Sequence, residues 1–382
     1  MRTVKVVHLI TGLNVGGAET MLYKLLSGMD RERFENSVIS LIAPGLMAKR
    51  IEALGIPVLS LGMMRGRPTP GHIWQLYRLL RHERPDILQT WMYHADLTGI
   101  IAGRLARVPA IAWNLRCSDC VVGASRTTMW TFQACARLSR WPQVVIANSE
   151  AGRRFHTSRG YHPRRWAVLP NGFDLDLFKP DDIARREVRN ELELPPDAPL
   201  IGIVARYDPP KDHATFLRAA MMLSERHPEA HFLLVGKDVI SSNAELMEPI
   251  RSHPVRERLH LLGERQDVPR LMAALDILVS SSSSEGFPNV IGEAMCCAVP
   301  CVVTGVGDSA EMVSDTGIVV PPRDPAAIAH ALNSLLESGP ASRRNLGLAA
   351  RERVQARYSL PVIVRRYEEL YTTLANSTRA KG

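Results

Sequence analysis

Short runs of consecutive apolar residues alternate along this chain with longer stretches in which apolar residues recur every three or four positions. Residues 4–10, Val-Lys-Val-Val-His-Leu-Ile, read as a buried first strand. A turn with glycines at 12, 16 and 17 follows, then a helix from Ala18. Further strands are expected at 37–41, 57–59, 87–89, 110–113 and 144–147, and helices at 72–83, 95–106 and 127–138. Strands separated by helices of that length predict a doubly wound parallel sheet.

The pattern then starts again. Residues 174–199 are charged and proline-bearing, ending in Pro195-Pro-Asp-Ala-Pro199, and read as a boundary. Strands are expected beyond it at 200–205, 231–235, 259–262, 277–280, 301–304 and 317–320, with helices between. Residues 361–374 carry apolar side chains at helical spacing. A chain of 382 residues exceeds the size at which one core stops growing. The expected α/β architecture is therefore a first Rossmann-like domain over 1–180, a second over 181–360, and a closing helix in 361–382 packing back toward the first. Two such domains would face each other across a cleft and take ligands at the carboxyl ends of their strands.

Composition narrows the class. Apolar content of 46% and charged content of 23% are those of an ordinary globular protein. Six cysteines in this length are no disulfide framework, and the lone pair Cys117/Cys120 lacks the partners of a zinc site. No signal segment and no apolar run near membrane-spanning length is seen, so the expected location is the cytoplasm. Charge is uneven: 24 Lys/Arg against 12 Asp/Glu in residues 1–180, but 23 against 27 in 181–382. The basic half suits something anionic, such as lipid headgroups or a phosphorylated acceptor. Its arginines include the pairs Arg153-Arg154 and Arg164-Arg165, but no aromatic-interleaved motif that would mark a nucleic-acid binder. A merely solvated surface is the plain alternative for any one of them.

Candidate chemistry sits where strands end. Gly16 and Gly17 would let a ligand approach backbone N–H groups, although their spacing is not the dinucleotide fingerprint and a structural turn is an equal reading. Arg206 and Lys211 follow the first strand of the second half, where two cations suit a pyrophosphate; solvated charges in a helix-capping loop are the alternative. His94 follows the strand at 87–89 in a loop, a place that favours function over the structural role of most lone histidines. Glu285 and Glu293 lie eight residues apart in Glu-Gly-Phe-Pro-Asn-Val-Ile-Gly-Glu, behind a serine tract at 280–284. The first belongs on a loop and the second about one turn into a helix, so they suit a hydroxyl-rich ligand, with helix N–H groups left for a phosphate.

Together these residues resemble glycosyltransferase family 4, retaining enzymes of the GT-B fold. The resemblance covers nearly the whole chain. It rests on Glu285…Glu293 with the continuation 299–311, on Gly-Gly-Ala-Glu at 16–19, on Ala147-Asn-Ser149, on Asn171-Gly172 and on Arg206…Lys211. It implies that Arg206 and Lys211 hold the donor diphosphate and that Glu293 binds the ribose. Glu285 would contact the transferred sugar, beside backbone groups of Phe287, Pro288, Asn289 and Val290. Gly263, Glu264 and Arg265 would frame the base, Gly16 and Gly17 would approach the diphosphate, and His94 would lie by the donor sugar. No metal and no cofactor is implied. One departure stands out, since Cys296-Cys297 occupies a place where the family often has Ala-Cys-Gly.

The implied activity is sugar transfer with retention, from a UDP- or GDP-sugar to a glycan or lipid-linked saccharide in bacterial cell-surface polysaccharide or lipopolysaccharide assembly. No carboxylate is placed for a covalent route, so phosphate-assisted departure is expected and Glu285 positions rather than attacks. A nucleotide-sugar epimerase and a basic membrane- or nucleic-acid-binding protein are the competing classes. The first would need no acceptor, and the second would leave the glutamates unexplained.

Overall fold

The computed structural model describes residues 2–64, 69–116, 125–195 and 197–379. Cys117, Cys120 and the rest of residues 117–124 lie outside them. The chain forms two compact units: Met1–Gly172 together with Leu360–Gly382, and Phe173–Ser359.

The first unit runs β1 (Val4–Ile10), α1 (Gly17–Gly28), β2 (Phe34–Ile42), α2 (Leu46–Ala53), β3 (Val58–Met63), α3 (Pro70–Glu83) and β4 (Ile87–Trp91). It continues with α4 (Tyr93–Leu105), β5 (Ala110–Leu115), α5 (Arg126–Leu138), β6 (Val144–Ala147), α6 (Glu150–Ser158) and β7 (Trp166–Val168). Its strands make one parallel sheet in the order β3-β2-β1-β4-β5-β6-β7. The order reverses between β1 and β4, so both of these strands open a crevice at their carboxyl ends.

The second unit runs α7 (Asp182–Glu191), β8 (Leu200–Val204), α8 (His213–Ser224), β9 (His231–Val235), α9 (Ala244–Met247), β10 (Leu259–Leu261), α10 (Val268–Ala274) and β11 (Ile277–Ser280). Then come α11 (Asn289–Cys296), β12 (Cys301–Thr304), α12 (Ser309–Val313), β13 (Gly317–Val320), α13 (Pro325–Glu337) and α14 (Gly339–Tyr358). The parallel order is β10-β9-β8-β11-β12-β13, with its reversal between β8 and β11. Helix α15 (Leu360–Arg379) closes the chain as part of the first unit.

The structure moves the domain boundary. Residues 173–180 belong to the second unit, and 174–199 is no free linker, because it contains α7 packed on α10. Arg185 bonds Asp276 at 2.6 Å and the carbonyl of Ala274 at 2.8 Å, while Asp276 also accepts from the backbone N–H of Leu200. Charge in this segment therefore marks an inter-helix network as well as a boundary region. Strand β7 carries no sequence signal of its own, being three half-buried residues at a sheet edge.

Both faces of each sheet are covered. In the first unit one core takes residues from α1, α2 and α15, and the other from α3, α4 and α5. Helix α15 buries Ile363, Val364, Tyr367, Leu370, Tyr371, Leu374 and Ala375, the stripe that a 3.6-residue period dictates. Its Tyr371 hydroxyl donates to Gln89 on β4 at 3.2 Å, and Tyr367 accepts from Asn114 at the end of β5 at 3.0 Å. Each large apolar side chain so buried contributes about 1.5–3 kcal/mol, against a net domain stability of about 5–15 kcal/mol. A chain ending at Ser359 should therefore lose the first unit's cooperative unfolding transition while keeping that of the second; calorimetry resolves the two.

Asp96 on α4 is fully buried and accepts a hydrogen bond from the Thr90 hydroxyl, while its second oxygen has no partner among the described residues. Burial holds its carboxyl well above the usual range. A carboxyl raised in the folded state stabilises fully below its unfolded value, and that contribution is lost as pH rises through the folded one. Asp96→Asn, neutral at every pH, should be more stable than the parent at pH 8 in urea titrations, with the difference vanishing below pH 4.

Candidate functional site

The second unit's switch point is assembled by hydrogen bonds between two loops. After β8 the chain passes Ala205 and Arg206 into a 3-10 turn at Pro209–Lys211. After β11 it enters the serine tract. The Ser281 hydroxyl donates to the carbonyls of Lys211 and Asp212, both at 3.0 Å. The Ser283 N–H donates to the carbonyl of Pro210 at 2.8 Å. Thr304, at the end of β12, donates to the carbonyl of Ser282 at 2.6 Å. The tract is thus a row of backbone anchors rather than a polar spacer.

This stapling brings Lys211 onto Glu285. The Lys211 ammonium lies 2.5 Å from Glu285 Oε1, and the Ser282 hydroxyl donates to the same oxygen at 2.8 Å. Both partners are largely covered, with side chains 25% and 12% exposed, so the pair is screened less than a surface ion pair. Arg206, 68% exposed, pairs instead with Asp208 at 2.7 Å. Asp212 sits at φ 50° and caps α8 by accepting from the Thr215 N–H and hydroxyl. Its neighbour His213 donates from Nε2 to the carbonyl of Ala205 at 3.2 Å. Burial pushes that imidazole down to about 4, so it is neutral at physiological pH.

Glu285 and Glu293 fall as the spacing predicts, the first on the loop before α11 and the second at that helix's fifth residue. Pro288 precedes the helix, and Asn289 and Val290 open it. Phe287 is buried, its ring stacked 6.1 Å from Phe173. Gly292 exists for the same contact, since a Cβ there would stand 2.1 Å from the Phe173 ring. Gly307, not singled out from the sequence, has φ 58°, and a Cβ on it would meet the carbonyl of Glu285 at 2.6 Å. With Asp308 N–H donating to the Gly286 carbonyl at 3.0 Å, it fixes the turn that carries Glu285. A glycine in the run following the helix was the available signal.

Gly263 follows β10 at φ 62°, and its carbonyl accepts from the N–H of Gly236, which follows β9. Glu264 is exposed. Arg265 has its guanidinium committed to Asp267 and Glu191, at 2.8 Å each. Hydrogen bonds from Arg265 bring the Asp267 carboxyl down to about 2. The segment thus offers its backbone to the sheet edge, while the arginine side chain ties α7 to the turn before α10.

In the first unit Gly16 caps α1 and Gly17 opens it, after β1; a Cβ on Gly17 would meet nothing within 4 Å. His94 is not on a loop as expected. It is the second residue of α4, which starts immediately after Met92 at φ 70°. Both positions follow the strands that flank this unit's own switch point. Each unit therefore brings its own predicted residues to one sheet edge.

The departure at Cys296-Cys297 also finds its explanation. Helix α11 ends at Cys296 with Cys297 as its cap, and Ala298 then turns left-handed at φ 56° while Val299 N–H reaches back to the Ala294 carbonyl. This is a glycine-type helix end occupied by alanine.

Comparison with solved structures gives the fold. HepE of Anabaena, crystallised with UDP, superposes with a TM-score of 0.83 over 97% of this chain and all of its own, at 24% identity. WaaG, a glycosyltransferase involved in lipopolysaccharide biosynthesis, gives 0.70 over 96% of this chain and 99% of its own, at 14%. The architecture is GT-B. Family models match along most of the chain, Glycosyltransferase Family 4 over residues 15–177 and Glycosyl transferases group 1 over 198–338. The chain belongs to this glycosyltransferase family. Among curated relatives, the putative glycosyltransferase EpsF of Bacillus subtilis is 28% identical over 82% of both chains. The UDP-Gal:alpha-D-GlcNAc-diphosphoundecaprenol alpha-1,3-galactosyltransferase of Escherichia coli is 27% identical over 60% of each.

Replacing the left-handed alanine, Ala298→Gly, should raise stability by about 1 kcal/mol in denaturant titration, because the Cβ penalty at that φ disappears.

Proposed function

We propose that this glycosyltransferase moves a sugar with retention from a UDP- or GDP-sugar to a glycan or lipid-linked saccharide in cell-surface polysaccharide assembly. The observation that carries the reading is the pairing of Lys211 with Glu285 at the second unit's switch point. In this donor-free arrangement each candidate cation is held by a carboxylate, Lys211 by Glu285 and Arg206 by Asp208. An arriving diphosphate competes for both cations and frees Glu285 to meet sugar hydroxyls. Negative charge then grows on the leaving phosphate, where the cations and the first N–H groups of α11 oppose it. Glu293, one turn into that helix, takes the ribose. Glycines 16 and 17 and His94 are what the first unit offers to the substrates. No step requires a metal or a cofactor.

The E. coli relative's name supports a diphosphate-lipid acceptor and a UDP-sugar, and HepE has been solved with UDP-glucose. Among the described residues no helix is long and apolar enough to cross a membrane. The basic balance of residues 1–180 supports work at an anionic membrane surface on the cytoplasmic side, and the lack of an aromatic-interleaved basic motif speaks against a nucleic-acid partner.

Lys211→Ala and Glu293→Gln should each lower transfer at least ~100-fold, as loss of a charge-stabilising group does, with melting temperatures kept within a few degrees. Full activity in both sinks the reading. The matching sugar donor should raise the melting temperature in a screen of UDP-, GDP- and ADP-sugars, and NMR of the product's anomeric proton reports retention directly.

A further inference from the structure

The edge of the first unit's sheet opposite its switch point carries a feature that donor chemistry does not use. Residues 126–168 contain eight arginines and a single acid, Glu150. In the sequence these arginines look dispersed. The fold gathers three of them: the α5–β6 turn with Arg140 and the α6–β7 loop with Arg164 both precede parallel strands and so lie at the same, amino-terminal edge, and Arg153 joins them from α6. There Arg140, Arg153 and Arg164 line one cavity of about 640 Å³, with Thr157, His162 and Trp166. Arg153 and Arg164 come from the two adjacent arginine pairs of the sequence, one from each.

Charge in this cavity is not balanced. Arg153 is neutralised by Glu150 through hydrogen bonds of 2.8 and 2.9 Å from Nε. Arg140 and Arg164 are exposed and bond to no carboxylate among the described residues. Two unpaired guanidiniums converge on a concave site walled by an aromatic ring. A second cavity of about 300 Å³ is lined by Arg104, Arg107 and, from the same α5–β6 turn, Trp141. Planar guanidinium forks match phosphate oxygens bidentately, whereas a single carboxylate would leave one of them unsatisfied. The volume is that of a small-ligand site and far exceeds one bare phosphate.

We infer that this cavity binds a phosphate or diphosphate ester, at a site separate from the one that handles the sugar donor. The phosphate is held between Arg140 and Arg164, with Arg153 behind them and the esterified group against Trp166. The same chemistry is presented by a free phosphate ester and by an anionic lipid headgroup.

The test uses the full chain carrying Lys211→Ala, so that the candidate donor site loses its phosphate-binding cation. Inorganic pyrophosphate is titrated by calorimetry, and vesicles of phosphatidylglycerol or of phosphatidylcholine are sedimented with the protein. Arg140→Ser with Arg164→Ser should weaken pyrophosphate binding at least tenfold if the ligand is a soluble phosphate. If it is a headgroup, the pair should instead abolish sedimentation with phosphatidylglycerol, phosphatidylcholine giving none. A control of equal charge, Arg78→Ser with Arg81→Ser on α3, should leave both readouts unchanged. Neither serine pair removes a hydrogen bond or ion pair among the described residues, so all proteins should melt at the parent's temperature. Binding that survives the Arg140/Arg164 pair, falls equally in the control, or is absent from both assays overturns the inference.

Discussion

The hydrogen bonds from Ser281 and Ser283 to the carbonyls of Pro210, Lys211 and Asp212 are the constraint on which the second unit's site depends. They tie the loop after β11 to the loop after β8, the two strands that flank the sheet's reversal. Without them Lys211 and Glu285, 74 residues apart in sequence, have no reason to meet. Small hydroxyl side chains suit the task, since they reach a neighbouring backbone and cost little rotamer freedom. Gly307 supports the arrangement from the third loop, where only a missing Cβ lets the Glu285 carbonyl approach.

Strand periodicity made most of both sheets legible, because parallel strands buried on both faces appear as unbroken apolar runs. The strands at 144–147, 231–235, 277–280, 301–304 and 317–320 have the expected bounds. Strand β7 was hidden because three half-buried edge residues carry no such run. The error over 174–199 has a different cause. Charge and proline there marked a boundary, yet Arg185 and Asp276 are partners across 91 positions, and composition alone cannot pair them.

The site was legible in its residue types and less so in its contacts. Glu285, Glu293 and Lys211 lie on the loops and helix that their spacing implied. Arg265 could not be foreseen as a structural arginine, because Glu191, its partner on α7, belongs to the misjudged segment. Likewise His94 follows a strand as read, but Met92 at positive φ starts the helix at Tyr93, two residues before the expected position.

The position of α15 bears on how the protein is made. The first unit's sheet leaves the ribosome early, yet the helix covering one of its faces is synthesised after the whole second unit. Between them the whole second unit must emerge, as an insertion whose two ends meet where Phe173 N–H donates to the Tyr358 carbonyl at 2.9 Å. Until those later residues are available, the first unit leaves the apolar faces of β1, β4 and α1 uncovered on the side that α15 packs against. The first unit's core therefore closes only with residues made after the whole insertion.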